Sequence, residues 1–372
     1  MANILYIATS DIHLRTFHVP YLEWLVHKGH TVDLAFEDRG GISFDMAREV
    51  YRIGFPRSLN PARLRRAYAD LKRVIDHGDY DLLHCHTPIP SALARLAARN
   101  WRRRDGKLLY TSHGFHFYER GPFRNWLAFY PAELLLSHLT DCIVTINAED
   151  LAYTKNPLWG APSQRIPGIG IQPRGFAPAS TGERLALRQE LGFDADDFIL
   201  LYIAEFIPRK NHRFIIDVVQ ELRAAVPDLK VVFLGRGALM QECEAIANSL
   251  GVQDTVLFKG FRDDVAKFAR IADVGISASR HEGLGIALLE QMMCAVPIVA
   301  SEDRGHREFV ENGETGFLFK QNDRQEFADH VMRLFRDASL REAMGRKAYA
   351  KAQEFTLSNS MQEMAKIYER FL

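Results

Sequence analysis

The chain has 372 residues and balances 47 lysine and arginine residues against 47 aspartate and glutamate residues, so its formal net charge is zero. This length predicts about two domains, each able to bury a core without disulfides. Hydrophobic residues make up 47% and charged residues 25%, which excludes a disordered chain, a collagen-like repeat and a dedicated nucleic-acid module. The four cysteines lie far apart without CxxC spacing, which favours a reducing cytoplasm over a disulfide scaffold or a zinc knuckle.

The zero net charge conceals an asymmetry along the chain. Residues 1–170 hold 21 basic and 17 acidic side chains, and residues 57–107 alone hold 12 basic and 5 acidic ones. Such a segment is typical either of solvated helix faces or of a surface that meets anionic lipid or a pyrophosphate group. No leader is expected from MANILYIATSDIH, and no apolar run is long enough to span a membrane.

Short apolar runs alternate with helix-period stretches through the first half of the chain. Strands that are almost wholly apolar and separated by helices are typical of a parallel sheet covered on both faces, which is the doubly wound α/β class. The predicted strands are 4–8, 32–35, 82–84, 108–111 and 142–146, and the predicted helices are 16–28, 61–76, 91–102 and 126–139.

A segment rich in proline and glycine, residues 156–182, predicts a last strand edge and then an interdomain linker. After it, a second α/β run begins. Its predicted strands are 198–204, 231–235, 256–259, 274–277, 297–300 and 316–319, and its predicted helices are 211–226, 238–250, 264–271 and 286–293, with helical pattern after 322.

We therefore predict two Rossmann-like, doubly wound domains whose parallel sheets face an interdomain cleft. The N-terminal domain spans residues 1–170 and the C-terminal domain residues 171–354, and a last helix at about 355–372 packs back on the first domain. In open α/β sheets, ligands bind at the carboxyl ends of the strands.

The stretch 277–295 combines glutamates, glycines and a predicted helix start. Glu282 precedes the helix, Gly283 and Gly285 lie in the turn, and Glu290 lies just over one turn into the helix. Glycines let a ligand approach the backbone, and the N–H groups at a helix start favour a phosphate. Spacing alone leaves two interpretations: a site in which one acid meets a ribose, or surface acids beside a routine turn.

The two glutamates match the E-x7-E motif of glycosyltransferase family 4, and the chain resembles this family over essentially its whole length. Further motifs follow in the family's order: TSHGF around His113, EFIPRKNH around Lys210, GFRDD at 260–264 and the block 304–319. The nearest resemblance is to the branch that builds bacterial capsule, exopolysaccharide or lipid-linked glycans.

The resemblance implies the GT-B fold and retaining transfer of a sugar from a nucleotide diphosphate sugar, usually a UDP-sugar, to a lipid-linked saccharide carried on polyprenyl diphosphate. The acceptor hydroxyl then attacks from the face of the leaving group, and no protein nucleophile is needed. Negative charge develops on the departing phosphate, and cations placed close to it stabilise that charge. One departure is Glu205, which stands where many family members carry arginine; Arg209 is a candidate replacement.

The resemblance assigns catalytic roles to His113, Lys210 and Glu282, with sugar hydroxyls on Glu282 and ribose hydroxyls on Glu290. The donor-binding set is Arg209, Lys210, Gly260, Phe261, Glu282, Gly283, Leu284, Gly285, Ile286 and Glu290, and the candidate acceptor-binding residues, in loops after predicted strands, are Ser10, Asp11, His13, His86 and His116.

No metal or other cofactor is expected. The Asp-x-Asp tripeptides at 79–81 and 194–196 lie in turns or before strands rather than at a strand's carboxyl end. The pairs His84/His86 and His113/His116 do not by themselves provide the four convergent ligands of a zinc site.

The segment 115–139 combines seven aromatic residues with Arg120 and Arg124. This pattern fits a helix that lies in a membrane interface, and it also fits a helix packed on its own domain. We favour peripheral attachment to an anionic surface on the inner face of the cell membrane, and no nucleic-acid partner.

Two alternatives to a transferase remain at this point: a non-hydrolysing UDP-sugar epimerase, and a non-catalytic subunit that binds a sugar nucleotide. A dehydrogenase is disfavoured, because no G-x-G-x-x-G follows the first strand of either domain.

Overall fold

A computed structural model describes residues 1–56, 58 and 60–372, without the side chains of Arg103 and Arg104. Three arginines of the basic segment 57–107 therefore lie, wholly or by their side chains, outside the described residues. The chain forms two compact units. The first contains Met1–Gly170 and Ser358–Leu372, and the second contains Ile171–Leu357.

The first unit is built on a seven-stranded sheet in which every neighbouring pair is parallel, in the order β3-β2-β1-β4-β5-β6-β7. Because the chain extends to both sides of β1, the edge beside β1 and β4 is a topological switch point, where open sheets bind ligands. The strands are β1 (Asn3–Ser10), β2 (Thr31–Glu37), β3 (Val50–Arg52), β4 (Leu82–His86), β5 (Lys107–Ser112), β6 (Cys142–Thr145) and β7 (Ser163–Arg165).

Helices connect these strands, and their apolar side chains share the unit's core with the central strands. The last helix of the chain belongs to this unit from Ser358, and its Ser360 hydroxyl donates to the carbonyl of Pro167 over 2.9 Å. The helices are α1 (Asp11–Phe17), α2 (Val19–His27), α3 (Pro61–His77), α4 (Pro88–Ala97), α5 (Phe123–Ser137), α6 (Ala148–Thr154) and α14 (Leu357–Phe371), with a 3-10 turn at Trp101–Arg104.

The second unit repeats this design with six parallel strands in the order β10-β9-β8-β11-β12-β13. Its switch point lies beside β8 and β11. Its elements are β8 (Phe198–Ile203), β9 (Leu229–Leu234), β10 (Val256–Phe258), β11 (Val274–Ser277), β12 (Ile298–Ser301), β13 (Gly316–Phe319), α7 (Thr181–Leu191), α8 (His212–Leu222), α9 (Met240–Ser249), α10 (Val265–Ile271), α11 (Ile286–Met292), α12 (Arg324–Arg336) and α13 (Ala338–Ala352), with 3-10 turns at Pro208–Lys210, His306–Glu308 and Gln353–Phe355.

All eleven strands predicted from the sequence occur within one or two residues of their predicted limits. The sequence pattern missed β3, a three-residue edge strand, and the helices α6 and α7, and it predicted one helix at 16–28 where the structure has the end of α1 followed by α2. Those two helices are separate because the chain turns at His18 and Pro20 lies in the first turn of α2, where proline is tolerated. None of the helices in the described parts of the chain has the length and apolar character needed to cross a membrane.

Candidate functional site

The switch point of the second unit brings together two loops that are far apart in sequence. After β8 the chain runs through a 3-10 turn that ends at Lys210, and after β11 it runs through the loop that contains Glu282. Tyr202, at the end of β8, joins the two loops. Its hydroxyl donates to the carbonyl of Lys210 over 2.5 Å and lies 3.2 Å from the hydroxyl of Ser279.

The carboxylate of Glu282 is the centre of this arrangement. Lys210 donates to Oε1, and Arg209 donates to Oε2 over 2.7 Å. Burial by itself raises the pKa of Glu282, but the adjacent charges of Lys210 and Arg209 outweigh it and lower the pKa to about 2. The carboxylate is therefore ionised at neutral pH, and two half-buried cations lie against it.

Glu290 has the opposite electrostatic environment. It lies on the second turn of α11, and burial raises its pKa to about 7. A carboxyl group with that pKa exchanges its proton near neutrality, and it accepts hydrogen bonds from hydroxyl groups best when ionised.

The loop that holds Glu282 packs tightly against residues after β12. A Cβ on Gly305 would lie 2.8 Å from the carbonyl oxygen of Leu284, and Arg304 donates through Nε to the carbonyl of Glu282 over 3.2 Å. Gly285 has φ of +103°, which only glycine adopts readily, and directly precedes α11. His306 is buried beside it, and its Nδ1 lies 2.7 Å from the carbonyl oxygen of Ser301.

A pocket of about 380 Å³ opens at the carboxyl ends of β8, β9 and β10. Phe261 lies in its wall with 64% of its surface exposed, directly after the turn at Gly260. The guanidinium of Arg236 lies 5.1 Å from the centre of the Phe261 ring. Such an exposed ring with a cation over it presents a flat surface to an aromatic ligand.

The switch point of the first unit is lined by imidazoles. His86 ends β4 and His113 follows β5, and His86 Nδ1 lies 3.2 Å from His113 Nε2. The ring of His13, on α1, lies 5.0 Å from that of His113. The structure thus brings three predicted site residues together from separate strand ends.

Other predicted acceptor residues have local partners. Ser10 caps α1 by accepting from the backbone N–H of His13. The buried carboxylate of Asp11 accepts from the backbone N–H groups of Arg39, Gly40 and Ile42, and so holds the loop after β2. His116 is exposed and lies against Phe129 of α5, with ring centres 4.8 Å apart, rather than against His86.

Comparisons with known proteins decide the family. Residues 21–167 match the family described as Glycosyltransferase Family 4, and residues 183–351 match Glycosyl transferases group 1. EpsD of Bacillus subtilis (strain 168), named as a glycosyltransferase, is 40% identical over 371 residues, which cover 100% of this chain and 97% of that protein. The chain belongs to glycosyltransferase family 4. The resemblance drawn from its motifs is confirmed, and the protein is a glycosyltransferase.

A more distant relative and two solved structures extend this comparison. The UDP-Gal:alpha-D-GlcNAc-diphosphoundecaprenol alpha-1,3-galactosyltransferase of Escherichia coli is 24% identical, over 80% of this chain and 77% of that protein. The structure of Anabaena HepE with UDP and glucose has a TM-score of 0.80 at 20% identity, with full coverage of both chains. WaaG has a TM-score of 0.77 at 17% identity, over 98% of this chain and 99% of that chain. The glycosyltransferase therefore has the GT-B fold.

Sequence reasoning left several residues of the glycosyltransferase's second unit outside the site. Tyr202 links the loops after β8 and β11. Gly305 and His306 pack against the loop after β11, and both lie in the block 304–319 that resembles the family. Tyr202 lies within an apolar strand, and nothing in the sequence indicates that its hydroxyl links two loops. Arg236 follows β9 and lines the same pocket as Glu205, which is exposed.

Proposed function

We propose that the protein transfers a sugar, with retention of anomeric configuration, from a UDP-sugar to a saccharide linked to polyprenyl diphosphate. This step belongs to the assembly of a bacterial exopolysaccharide, capsule or related glycan. The observation that carries the proposal is the pairing of Lys210 and Arg209 on the carboxylate of Glu282 at the switch point of the second sheet.

Cleavage of a nucleotide sugar leaves negative charge on a diphosphate, and preorganised cations stabilise that charge in the transition state. Lys210 and Arg209 are preorganised because Glu282 and the backbone of both loops fix their position. Arg209 then supplies the second positive charge that many relatives obtain from the position of Glu205. With two protein cations on the leaving group, transfer requires no metal or other cofactor.

The remaining contacts of the donor follow from the same unit. Glu290 accepts hydrogen bonds from the ribose. Glu282 accepts hydrogen bonds from the sugar hydroxyls when Lys210 and Arg209 also contact the diphosphate. The base enters the pocket beside Gly260 and Phe261. The loop 283–286 contacts the phosphate through its backbone, and the family resemblance assigns His113 to the donor sugar.

The choice of UDP and of a lipid-linked acceptor rests on relatives. The Escherichia coli relative is named for UDP-Gal and a diphosphoundecaprenol-linked acceptor, and HepE was solved with UDP. Ser10, Asp11, His13, His86 and His116 are the residues of the first unit that we assign to the acceptor.

Peripheral attachment to the inner face of the cell membrane is supported by α5. Phe123, Leu127 and Leu135 share one side of this helix and are 79%, 68% and 71% exposed. Other aromatics of the segment have a different role, since Phe115 and Phe117 are buried in the unit's core. Exposed apolar side chains beside basic ones are typical of a helix that lies in a membrane interface.

The transfer proposal is tested with purified full-length protein, a panel of nucleotide sugars and polyprenyl-diphosphate-linked acceptors. We expect release of UDP together with a product in which the donor's anomeric configuration is kept. An epimerised nucleotide sugar formed without acceptor would instead indicate an epimerase, and binding without turnover on any acceptor would indicate a non-catalytic subunit.

The membrane proposal is tested by sedimentation with vesicles that contain anionic lipid, at low salt. The double variant Phe123→Ser/Leu127→Ser is expected to lose most of its binding. Leu185→Ser is the matched control, because Leu185 is an exposed leucine of the second unit at 46% exposure. Equal sedimentation of both variants would contradict attachment through α5.

A further inference from the structure

Three histidine side chains of the first unit form a close cluster. His13, His18 and His113 come from α1, from the turn after it and from the end of β5. One ring nitrogen of each lies within 4.8 Å of the other two. The ring centres are 4.9 Å apart for His13 and His18, and 5.3 Å apart for His18 and His113.

Two nitrogens of this cluster are buried without a hydrogen-bond partner among the described residues, namely Nδ1 of His13 and Nε2 of His18. An unpaired buried polar atom is energetically unfavourable, so each of these atoms is a candidate for a bound ligand. The second nitrogen of His18 is already engaged, because Nδ1 lies 2.8 Å from the hydroxyl of Tyr6. When Nδ1 carries the proton and donates it to Tyr6, the lone pair of Nε2 faces the cluster.

This arrangement is the one found around metal-bound histidines, whose outer nitrogen is oriented by a hydrogen-bond partner. The rings are also in the right protonation state. Burial lowers the pKa of His13 to about 4 and holds the pKa of His18 and His113 well below the usual range, with the neighbouring histidines adding to the effect for those two. Neutral imidazole is the form that binds metals.

We propose that His13, His18 and His113 together bind one late first-row transition-metal ion, such as Zn²⁺ or Co²⁺. Imidazole nitrogens suit these ions, whereas Mg²⁺ and Ca²⁺ prefer oxygen ligands. Nitrogens around tetrahedral zinc are about 3.4 Å apart, for metal–nitrogen distances of about 2.0–2.1 Å, so modest ring rotations close the site. His13 and His113 are partly exposed, which gives the ion a route from solvent and leaves a coordination position open.

These three ligands differ from the histidine pairs that are close together in the sequence, His84/His86 and His113/His116. His84 takes no part, because its two ring nitrogens lie 2.7 Å from the Tyr368 hydroxyl and 2.8 Å from the Thr111 hydroxyl. His86 is the outer partner of His113. Since our proposed function assigns His113 to the donor sugar, a bound metal ion would compete with transfer rather than support it.

The test is a titration of the full-length, chelator-treated protein with Co²⁺, without nucleotide or acceptor, followed by visible absorption. We expect one equivalent to bind with the d–d bands of a four-coordinate site made of three nitrogens and one water, and Zn²⁺ to displace it. His13→Ala should weaken binding at least about 100-fold. His27→Ala is the control, because His27 is exposed on α2 and away from the cluster.

Absence of stoichiometric Co²⁺ binding, or equal binding by His13→Ala and the wild type, would overturn the proposal. His13→Ala is preferred to a change at His18, which is fully buried against Tyr6 and contributes to the core; circular dichroism confirms that the variant is folded. A transfer assay separates this proposal from the proposed function. If Co²⁺ binds as expected but transfer continues unchanged with the site filled, the assignment of His113 to the donor fails and the metal site stands.

Discussion

The ammonium group of Lys210 donates a hydrogen bond to the carboxylate of Glu282, although 72 residues separate them in the chain. The contact forms because the loops after β8 and β11 leave neighbouring parallel strands at the same edge of the sheet. In the free protein, Glu282 therefore fixes the position of the cation that we propose for the leaving diphosphate, and it gives this half-buried cation a partner of opposite charge.

Replacement of Glu282 with glutamine tests this relationship. The amide keeps the shape of the side chain but removes the charge that orients Lys210 and Arg209, so the turnover number for transfer should fall about 100-fold. Glu314→Gln, in an exposed ion pair with Lys347, is the matched control and should leave turnover unchanged. Steady-state kinetics with a saturating donor measure the effect, and a loss below threefold would contradict the assigned role.

The raised pKa of Glu290 predicts how stability depends on pH. Between pH 4.5 and about 7 the folded protein holds a proton that the unfolded chain releases, so stability falls as the pH rises through this window. Glu290→Gln removes the free-energy cost of burying an ionised carboxylate. We expect the variant to gain about 2 kcal/mol over the wild type at pH 8, or roughly 4 to 8 °C in melting temperature, and little at pH 4.5. Thermal unfolding at the two pH values measures the difference.

The affinity for UDP should depend on pH in the opposite direction to the stability, and the same residue, Glu290, is the cause. Ribose hydroxyls donate to the ionised carboxylate, so binding of UDP to the wild type should tighten as the pH rises from 6 to 8 and should release a proton. Calorimetry in buffers of different ionisation enthalpy detects that proton. Glu290→Gln should bind UDP more weakly and with a flatter pH profile; an unchanged profile would place the ribose elsewhere.

Tyr202→Phe tests the link between the two loops. Loss of the hydroxyl removes its hydrogen bonds to the Lys210 carbonyl and to Ser279, at a cost of about 1 kcal/mol in folding free energy. Because Lys210 is then less well positioned, turnover should fall about tenfold while the Michaelis constant changes little. Tyr349→Phe, at a half-exposed tyrosine of α13, provides the comparison. Equal turnover in the two variants would make the hydroxyl purely structural.

Gly305→Ala tests the close packing behind the Glu282 loop. The backbone at Gly305 has φ of −74°, which alanine adopts freely, so only the added methyl matters. That methyl would meet the Leu284 carbonyl oxygen at 2.8 Å and the Cβ of Glu282 at 2.9 Å, and the loop must shift. We expect UDP affinity to fall at least tenfold and stability to fall by about 1–3 kcal/mol.

Gly182→Ala is the control for that experiment, since a Cβ there would contact nothing within 4 Å. It lies in the first turn of α7, where alanine is the better helix former and stability should hold or rise slightly. A Gly305→Ala variant that binds UDP as tightly as Gly182→Ala does would show that the Glu282 loop tolerates displacement.

Local pattern was enough to locate the elements that carry the fold. Parallel strands covered on both faces read as continuous apolar runs, so β8 and β11 could be found without knowing their neighbours. The strand β3 and the helices α6 and α7 were not found. A three-residue strand holds too little periodicity to distinguish it from a loop. Their formation depends on the strand or helix against which they pack.

The sequence by itself determined two parallel α/β units, the family, and the loop and helix that carry Glu282 and Glu290, because each of these depends on residues that are contiguous in the chain. Only the tertiary structure decided which side chains meet. His13, His18 and His113 converge, and Lys210 reaches Glu282, because parallel strands deliver their carboxyl ends to one edge whatever the distance along the chain. The different pKa values of Glu282 and Glu290 were decided there too, since one carboxylate is buried with two cations and the other is desolvated without that compensation.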